Sequence, residues 1–330
     1  MIVYRPCRNP DPPAVVEVWN ECVTGRGGYP VRTAGLLERW LFAKPFFQPA
    51  DLQLAVDDET NQVVGLALAG FGPDEGRTHL DPAAGVVCAV LVRPSHRKRG
   101  IGRELLRRAE AALTEEGATS VAFGGQWPNS PYLFGLYGGS NTPGVLASEP
   151  DADAFLTKMG YQRAEAVGVF HRKLDAPLTL ADTRFGHLRR RYEAQVLRAA
   201  TVGDWWQECT WGTLEPVEIK MTDKLTGLPA ARAVLWELEG FGWRWGFPSA
   251  GILDMQVRPD LRKQGLGKLL LTNVLRFLQD QFFAIAELQF PADDAAGIGL
   301  VSGLGFEPVD TGYVYRRPTL PAADPPAASP

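Results

Sequence analysis

One motif occurs twice in this chain, 165 residues apart. Residues 92–106 read VRPSHRKRGIGRELL and residues 257–271 read VRPDLRKQGLGKLLL, with nine of fifteen positions identical. Each copy follows an apolar run, residues 85–92 in the first and 252–257 in the second. Such a run is the pattern of a central strand covered on both faces. Each copy also opens a stretch with apolar residues at helical spacing, as in Leu105, Leu106, Ala109, Ala112 and Leu113. The motif is therefore a strand–loop–helix unit, and the chain holds two of them. Its 330 residues leave room for two domains of ordinary size.

The chemistry of the unit lies in its loop. Two glycines separated by one residue let the backbone approach a ligand closely. The helix that follows offers unpaired N–H groups and the positive end of its dipole, which together favour a phosphate. Arg97, Lys98, Arg99 and Arg103 add charge to the first loop, and Arg262, Lys263 and Lys268 to the second. Pro94 and Pro259 help end the strands, because proline cannot donate to a ladder. A nucleotide P-loop requires four residues between its glycines. A dinucleotide fingerprint requires a third glycine where Leu105 and Leu270 stand. Neither pattern is present.

Around the loops the two halves follow one plan. The first has a strand at residues 2–5 and a helix starting at Pro12 and Pro13 and carrying Val15, Val16, Val18 and Trp19. A second helix is expected at 34–42, a hairpin from 52–56 and 63–69, and the central strand at 85–92. The helix after the loop should end at Gly117, followed by a strand at 120–123. Residues 124–150 mix glycine, proline and aromatics, which predicts a long structured loop. A short helix at 153–159 and a strand at 163–173 close this half. After a linker at 174–178, the second half has a strand at 194–199, a short helix with Trp205 and Trp206, and a hairpin from 217–222 and 230–238. Its central strand is expected at 252–257, its main helix at 267–279, a strand at 284–290, a helix at 295–304 capped by Asp293 or Asp294, and a closing strand at 307–316. The domains are accordingly 1–173, with 124–150 as an insertion, and 176–317. A Pro/Ala-rich tail, 318–330, reads as disordered.

A net charge of −4 and a pI near 5.7 argue against nucleic acid as a partner. Cys7, Cys22, Cys88 and Cys209 are widely spaced, as are the four histidines, so neither a disulfide frame nor a metal site is expected. The first residues have no apolar core of a signal peptide, and no run reaches the ~18 apolar residues that span a membrane. The expectation is a cytoplasmic protein with no membrane partner.

Each loop resembles the acyl-CoA-binding motif [QR]-x-x-G-x-[GA] of the GNAT (Gcn5-related N-acetyltransferase) superfamily. The matching residues are Arg97-Lys98-Arg99-Gly100-Ile101-Gly102 and Arg262-Lys263-Gln264-Gly265-Leu266-Gly267. The endings LGF at 304–306 and MGY at 159–161 also resemble the end of the family's fourth helix. The resemblance covers nearly the whole chain as two tandem domains. It implies an α/β (α+β) fold, each domain a mixed, mostly antiparallel twisted sheet flanked by helices. It implies acetyl-CoA as donor and a small-molecule amine as acceptor. Pyrophosphate would lie on the loop amides, including those of Arg103 and Lys268. Pantetheine would run beside Val90, Leu91 and Val92, or beside Met255, Gln256 and Val257. The tyrosine that usually serves as acid is replaced by Leu156 and Val301, and the glutamate of the fourth strand by Val86 and Gly251. Tyr132 and Tyr137, in the 124–150 loop with Gln126, Trp127 and Asn129, are the substitute catalytic candidates. Asp254 is the acid within the second half's fourth strand, and Trp211, Trp243 and Trp245 could line a pocket there. The loop favours the first half as catalytic. The alternatives are the second half, or an acyl-CoA-binding protein without catalysis. A tandem pair can imitate a dimer within one chain, so monomer and homodimer both fit.

Overall fold

A computed structural model describes residues 1–175, 178, 182–198, 203–211 and 214–317. The first half runs β1 (Ile2–Pro6), α1 (Pro12–Cys22), α2 (Ala34–Leu37), β2 (Leu52–Asp57), β3 (Gln62–Pro73), β4 (Leu80–Val92), α3 (Ile101–Glu115), β5 (Ser120–Phe123), β6 (Val145–Leu146), α4 (Ala152–Lys158) and β7 (Gln162–Lys173). The second runs α5 (Phe185–Arg191), β8 (Tyr192–Arg198), α6 (Trp205–Trp211), β9 (Val217–Asp223), β10 (Pro229–Glu237), α7 (Glu239–Trp245), β11 (Ser249–Val257), α8 (Leu266–Asp280), β12 (Ile285–Pro291), α9 (Ala295–Ser302) and β13 (Glu307–Arg316).

Most expected elements appear within a few residues of their place. The helix expected at 34–42 keeps its length but changes geometry, with α2 running into a wider π turn at Glu38–Phe42. Two helices are additions. α5 is a single polar turn and a half, and α7 contains two glycines, so neither carries a strong periodic signal. Asp294 caps α9 by accepting from the Gly297 amide at 2.9 Å. Part of the linker at 174–178, the end of the strand expected at 194–199, and the 318–330 tail lie outside the described residues.

All the strands join one sheet, in the order β1-β2-β3-β4-β5-β13-β7-β12-β11-β10-β9-β8, with β6 paired beside β13 off this path. The β4–β5 and β11–β12 pairs are parallel and the other pairs antiparallel. The centre of the sheet departs from a simple tandem. β13, the last strand of the second half, lies against β5 of the first, with Tyr315 opposite Phe123. β7, the last strand of the first half, lies against β12 of the second, from Lys173 opposite Ile285 to Val167 opposite Pro291. β7 and β13 pair with each other along their whole length. The closing strands have changed places, so the two halves interlock. Alternation of apolar residues sets which face a strand buries but not which neighbour it pairs with, so the exchange leaves no mark on the pattern.

The exchange sets how the cores are shared. On one face a single core joins both halves, placing Trp19, Trp40, Cys88, Tyr132 and Phe134 with Trp211, Val234, Trp236, Phe241 and Leu253. On the other face each half keeps its own core, under α3 in the first and under α8 in the second. The shared face is where the 124–150 segment lies.

Candidate active site

The two motif loops have the same backbone. Arg93 and Arg258 share φ −49°, with ψ of 137° and 132°, and Arg97 and Arg262 have φ of −66° and −67°. Lys98 and Lys263 adopt φ of 62° and 61°, and Gly100 and Gly265 adopt 85° and 90°. A positive φ at the residue entering α3 or α8 is what glycine supplies without strain. In both loops the motif arginine ties the loop to its own strand. Arg97 Nε donates to the Val92 carbonyl at 3.0 Å, and Arg262 Nε to the Val257 carbonyl at 3.1 Å. The first amides of α3 and α8 have no partner within the helix, as at any helix start. They belong to Ile101, Gly102 and Arg103, and to Leu266, Gly267 and Lys268. The cradle fits a pyrophosphate. A Cβ on Gly102 would rest in ordinary contact with Phe155 at 3.5 Å, and one on Gly267 with Val257 at 3.5 Å, so any larger side chain would extend into the cradle.

Beyond the loops both halves open a wedge. β4 and β5 stay paired from Ala84–Ser120 to Val87–Phe123 and then part. β11 and β12 stay paired from Ser249–Ile285 to Ile252–Leu288 and then part. A bulge marks each parting point. Leu68 faces Ala89 while Ala69 faces Val87, so Cys88 is the extra residue of β4. Val234 faces Asp254 while Leu235 faces Ile252, so Leu253 is the extra residue of β11. Bulges re-aim the strand. The backbone past them, at Val90, Leu91 and Val92 and at Met255, Gln256 and Val257, has no strand partner on the wedge side. That free edge can bind a ligand's amides and polarise a carbonyl.

The separation of 165 holds for the pairing itself, so residues on the shared face can be compared one to one. In the first half they are Val86, Cys88, Ala89, Ala122 and Gly124. In the second they are Gly251, Leu253, Asp254, Glu287 and Gln289. The first wedge is apolar; the second carries two carboxylates and an amide. Asp254 faces the shared core side with its partner Val234, and its side chain is 23% exposed. Its Oδ2 accepts from Arg232 at 2.9 Å and from Gln256 at 3.0 Å. Glu287 is fully buried and accepts from the Ser140 amide at 2.6 Å, Arg26 at 3.0 Å, Gln289 at 3.2 Å and His171 at 2.7 Å. Burial alone would raise its pKa, but the His171 hydrogen bond, the His171 and Arg26 charges and the Ser140 amide hold it below the ordinary value.

The two substitute tyrosines, Tyr132 and Tyr137, are each engaged in hydrogen bonds within the first half. Tyr132 is 1% exposed, and its ring crosses β3, where a Cβ on Gly70 would stand 2.7 Å from Cε2. Its hydroxyl donates to Asp51, just ahead of β2, at 2.5 Å. β2 is two strands from β4, roughly 10 Å at the usual strand spacing, and on the side away from β5. Burial raises Asp51 to about 6 and, with the Asp51 charge, drives the Tyr132 hydroxyl far above its ordinary value. Tyr137 accepts from the Leu146 amide at 3.1 Å and bridges to Gly28, so it braces the 124–150 segment upon itself. Trp127 packs on Trp211 at 4.6 Å, and Gln126 pairs through its backbone with Asn129. Trp245 packs at a tilt against His171, with ring centres 4.6 Å apart, whereas Trp243 is 41% exposed beneath Arg32. Nothing in the pattern of residues singled out Arg26, His171 or Asp51; Glu287 did have a signal, as an acid inside the apolar run 284–290.

Residues 14–131 match the model of the Acetyltransferase (GNAT) family. The chain carries a GNAT acetyltransferase domain. It is 26% identical over 263 residues to the mycothiol acetyltransferase of Salinispora arenicola (strain CNS-205), covering 73% of this chain and 77% of that protein. The mycothiol acetyltransferase of Clavibacter sepedonicus is 25% identical over 254 residues, covering 71% of this chain and 73% of that protein. Among solved structures, a tandem GNAT protein from the clavulanic acid biosynthesis pathway superposes with a TM-score of 0.66 at 18% identity, covering 96% of this chain and 98% of that one. A GCN5-related N-acetyltransferase from Sphaerobacter thermophilus gives 0.64 at 16%, covering 97% of each. The tandem GNAT fold therefore spans the chain, and the donor of this acyltransferase is acetyl-CoA. No helix among the described residues is long and apolar enough to cross a membrane.

Proposed function

We propose that this cytoplasmic acetyltransferase moves an acetyl group to a small-molecule amine in its second half, with Asp254 as general base. The observation that carries this is the contrast at one pair of equivalent positions. Just past the bulge the first wedge has Ala89 and the second has Asp254. An amine must lose a proton as it attacks, and only a group near the reacting carbon can take it. The Oδ2 atom of Asp254 is held by Arg232 and Gln256, which fix the carboxylate and leave Oδ1 to accept that proton. Acetyl-CoA supplies the activated acyl group. The amides of Leu266, Gly267 and Lys268 would hold its pyrophosphate, and the free edge of Met255–Val257 its pantetheine. Supporting the acceptor class, the two relatives named above are called mycothiol acetyltransferases.

A second reading keeps the first half as the working one. Nothing stands within 4 Å of where a Cβ on Gly100 would lie, so its loop is the more open, and the family model falls on it. The roles are separated by turnover against an amine panel with acetyl-CoA. Asp254→Asn should lower kcat by at least ~100-fold, the contribution of a positioned base. Gly267→Trp should abolish turnover while Gly102→Trp leaves it. Turnover lost in Gly102→Trp and kept in Gly267→Trp and Asp254→Asn would overturn the assignment to the second half.

A further inference from the structure

The two loops share a backbone but not a covering. Over the first loop there is open space at Gly100, and Arg103 is exposed with no ion pair among the described residues. Over the second lies the stretch that leads into α5. The guanidinium of Arg184 stands 3.2 Å from where a Cβ on Gly265 would be. Asp182 holds Arg184 through both carboxylate oxygens, at 2.9 and 2.8 Å, and reaches Lys268 at 3.4 Å. Lys268 is the counterpart of Arg103, in the first turn of α8. The side chain of Asp182 is 8% exposed, and those of its partners Arg184 and Lys268 are 53% and 29% exposed, so the cluster is part-exposed. Phe185 and Leu188 are buried in the core under α8 and anchor α5 beside the loop, with the Lys268 ammonium 6.0 Å from the Phe185 ring centre.

We infer that residues 182–191 form a latch on the second cofactor loop, in which the Asp182 carboxylate neutralises the cations that a pyrophosphate would otherwise meet. An incoming phosphate competes with a resident anion for Lys268 and Arg184, and binding requires that the resident anion leave. The first loop has no such competitor on Arg103 among the described residues: Asp151 is 82% exposed and pairs with Arg97, and Glu104, in the first turn of α3, is turned to Arg107 and Arg108. The two loops therefore differ in affinity, and the second pays for binding with a movement of α5. This holds whichever half performs the chemistry.

The test is calorimetric titration with acetyl-CoA in a Gly102→Trp background, which confines binding to the second loop. Asp182→Ala should tighten binding about five-fold, the worth of a part-exposed ion pair. Asp182→Asn keeps the shape, loses the charge, and should act in the same direction. In the otherwise native chain, acetyl-CoA should speed tryptic cleavage after the exposed Arg189 and Arg190 as α5 lifts. Affinity unchanged or weakened in both Asp182 variants, binding absent in every form, or cleavage unaffected by acetyl-CoA would each overturn the latch. Turnover plays no part in these readouts, so the latch and the assignment of the catalytic half fail separately.

Discussion

Glu287 offers the most direct test of how the two halves are joined. It sits in β12, a strand of the second half, yet three of its four donors come from the first: Arg26, Ser140 and His171. Glu287→Ala removes the acceptor and leaves those donors in place. The Ser140 amide belongs to a residue that is 0% exposed, and an orphaned buried donor costs about 1–3 kcal/mol. The Arg26 guanidinium is 19% exposed and also lies 5.3 Å from the centre of the Trp245 ring, so it recovers part of its solvation. Breaking a buried pair from one side costs about 3–5 kcal/mol, and these facts place the loss near 4 kcal/mol. That is a large share of a typical stability of about 5–15 kcal/mol. Glu287→Gln keeps an acceptor for Ser140 and loses only the charge, so about half that loss is expected. The assay is urea unfolding followed by tryptophan emission at neutral pH, comparing midpoints at constant slope. The pH dependence has a definite sign. A carboxyl held below its ordinary pKa stabilises fully above the unfolded value and loses that contribution as pH falls through the folded value. The native chain should therefore weaken on acidification more steeply than Glu287→Gln. A loss below about 1 kcal/mol in Glu287→Ala, or identical acid profiles, would refute the view that this carboxylate locks the halves together.

Two further perturbations address groups buried on the shared face. Lys44 is 6% exposed, with its ammonium on the Cys209 carbonyl at 2.9 Å, and burial brings it down to about 8. The folded state then binds fewer protons than the unfolded chain between about pH 8 and 10.5, so native stability should rise across that window, whereas Lys44→Met should lack the rise and gain about 2 kcal/mol at pH 7, read from urea midpoints. Tyr132→Phe removes the hydroxyl from Asp51 and should cost about 1–3 kcal/mol in the same assay while leaving kcat unchanged; a fall in kcat without a fall in stability would return Tyr132 to the reacting centre.

The repeated motif made most of the fold legible. Its glycines and basic residues set the loop conformation locally, so the dihedrals at Lys98 and Gly100 reappear at Lys263 and Gly265. The wedges had no such local mark, because each opens at a bulge, at Cys88 and at Leu253, that no turn residue announces. The contents of the site were less legible. Tyr132 and Tyr137 lie in the segment that follows the fifth strand, a reasonable place for an acid, but that segment runs back across β3, burying Tyr132 and half-burying Tyr137. Where a long loop goes is decided by what it packs against, and its partners here are Trp211, Trp236 and Glu287 of the other half. Arg26 and His171 could not be associated with Glu287 from the sequence either. They lie 261 and 116 positions away, and it is the exchange of β7 and β13 that brings His171 beside β12.

That exchange also explains why one copy of the repeat could become apolar while the other kept its acids. At equivalent positions of the fifth strand the first half has Ala122 and the second has Glu287. A glutamate in the middle of a sheet persists only where donors surround it. Three of those donors are supplied by the 124–150 segment, by the 23–29 loop and by β7, all from the first half, and the fourth is Gln289. Gly139 shows how close the fit is, because a Cβ there would stand 2.1 Å from Glu287 Oε1 and its φ is +99°. The segment that fills the first half's own face with Tyr132 and Phe134 thus continues, at Gly139 and Ser140, as a polar wall of the second. Residues 176–317 alone would leave the Glu287 carboxylate without those three donors. The Glu287 site therefore belongs to the interlocked pair and not to either repeat.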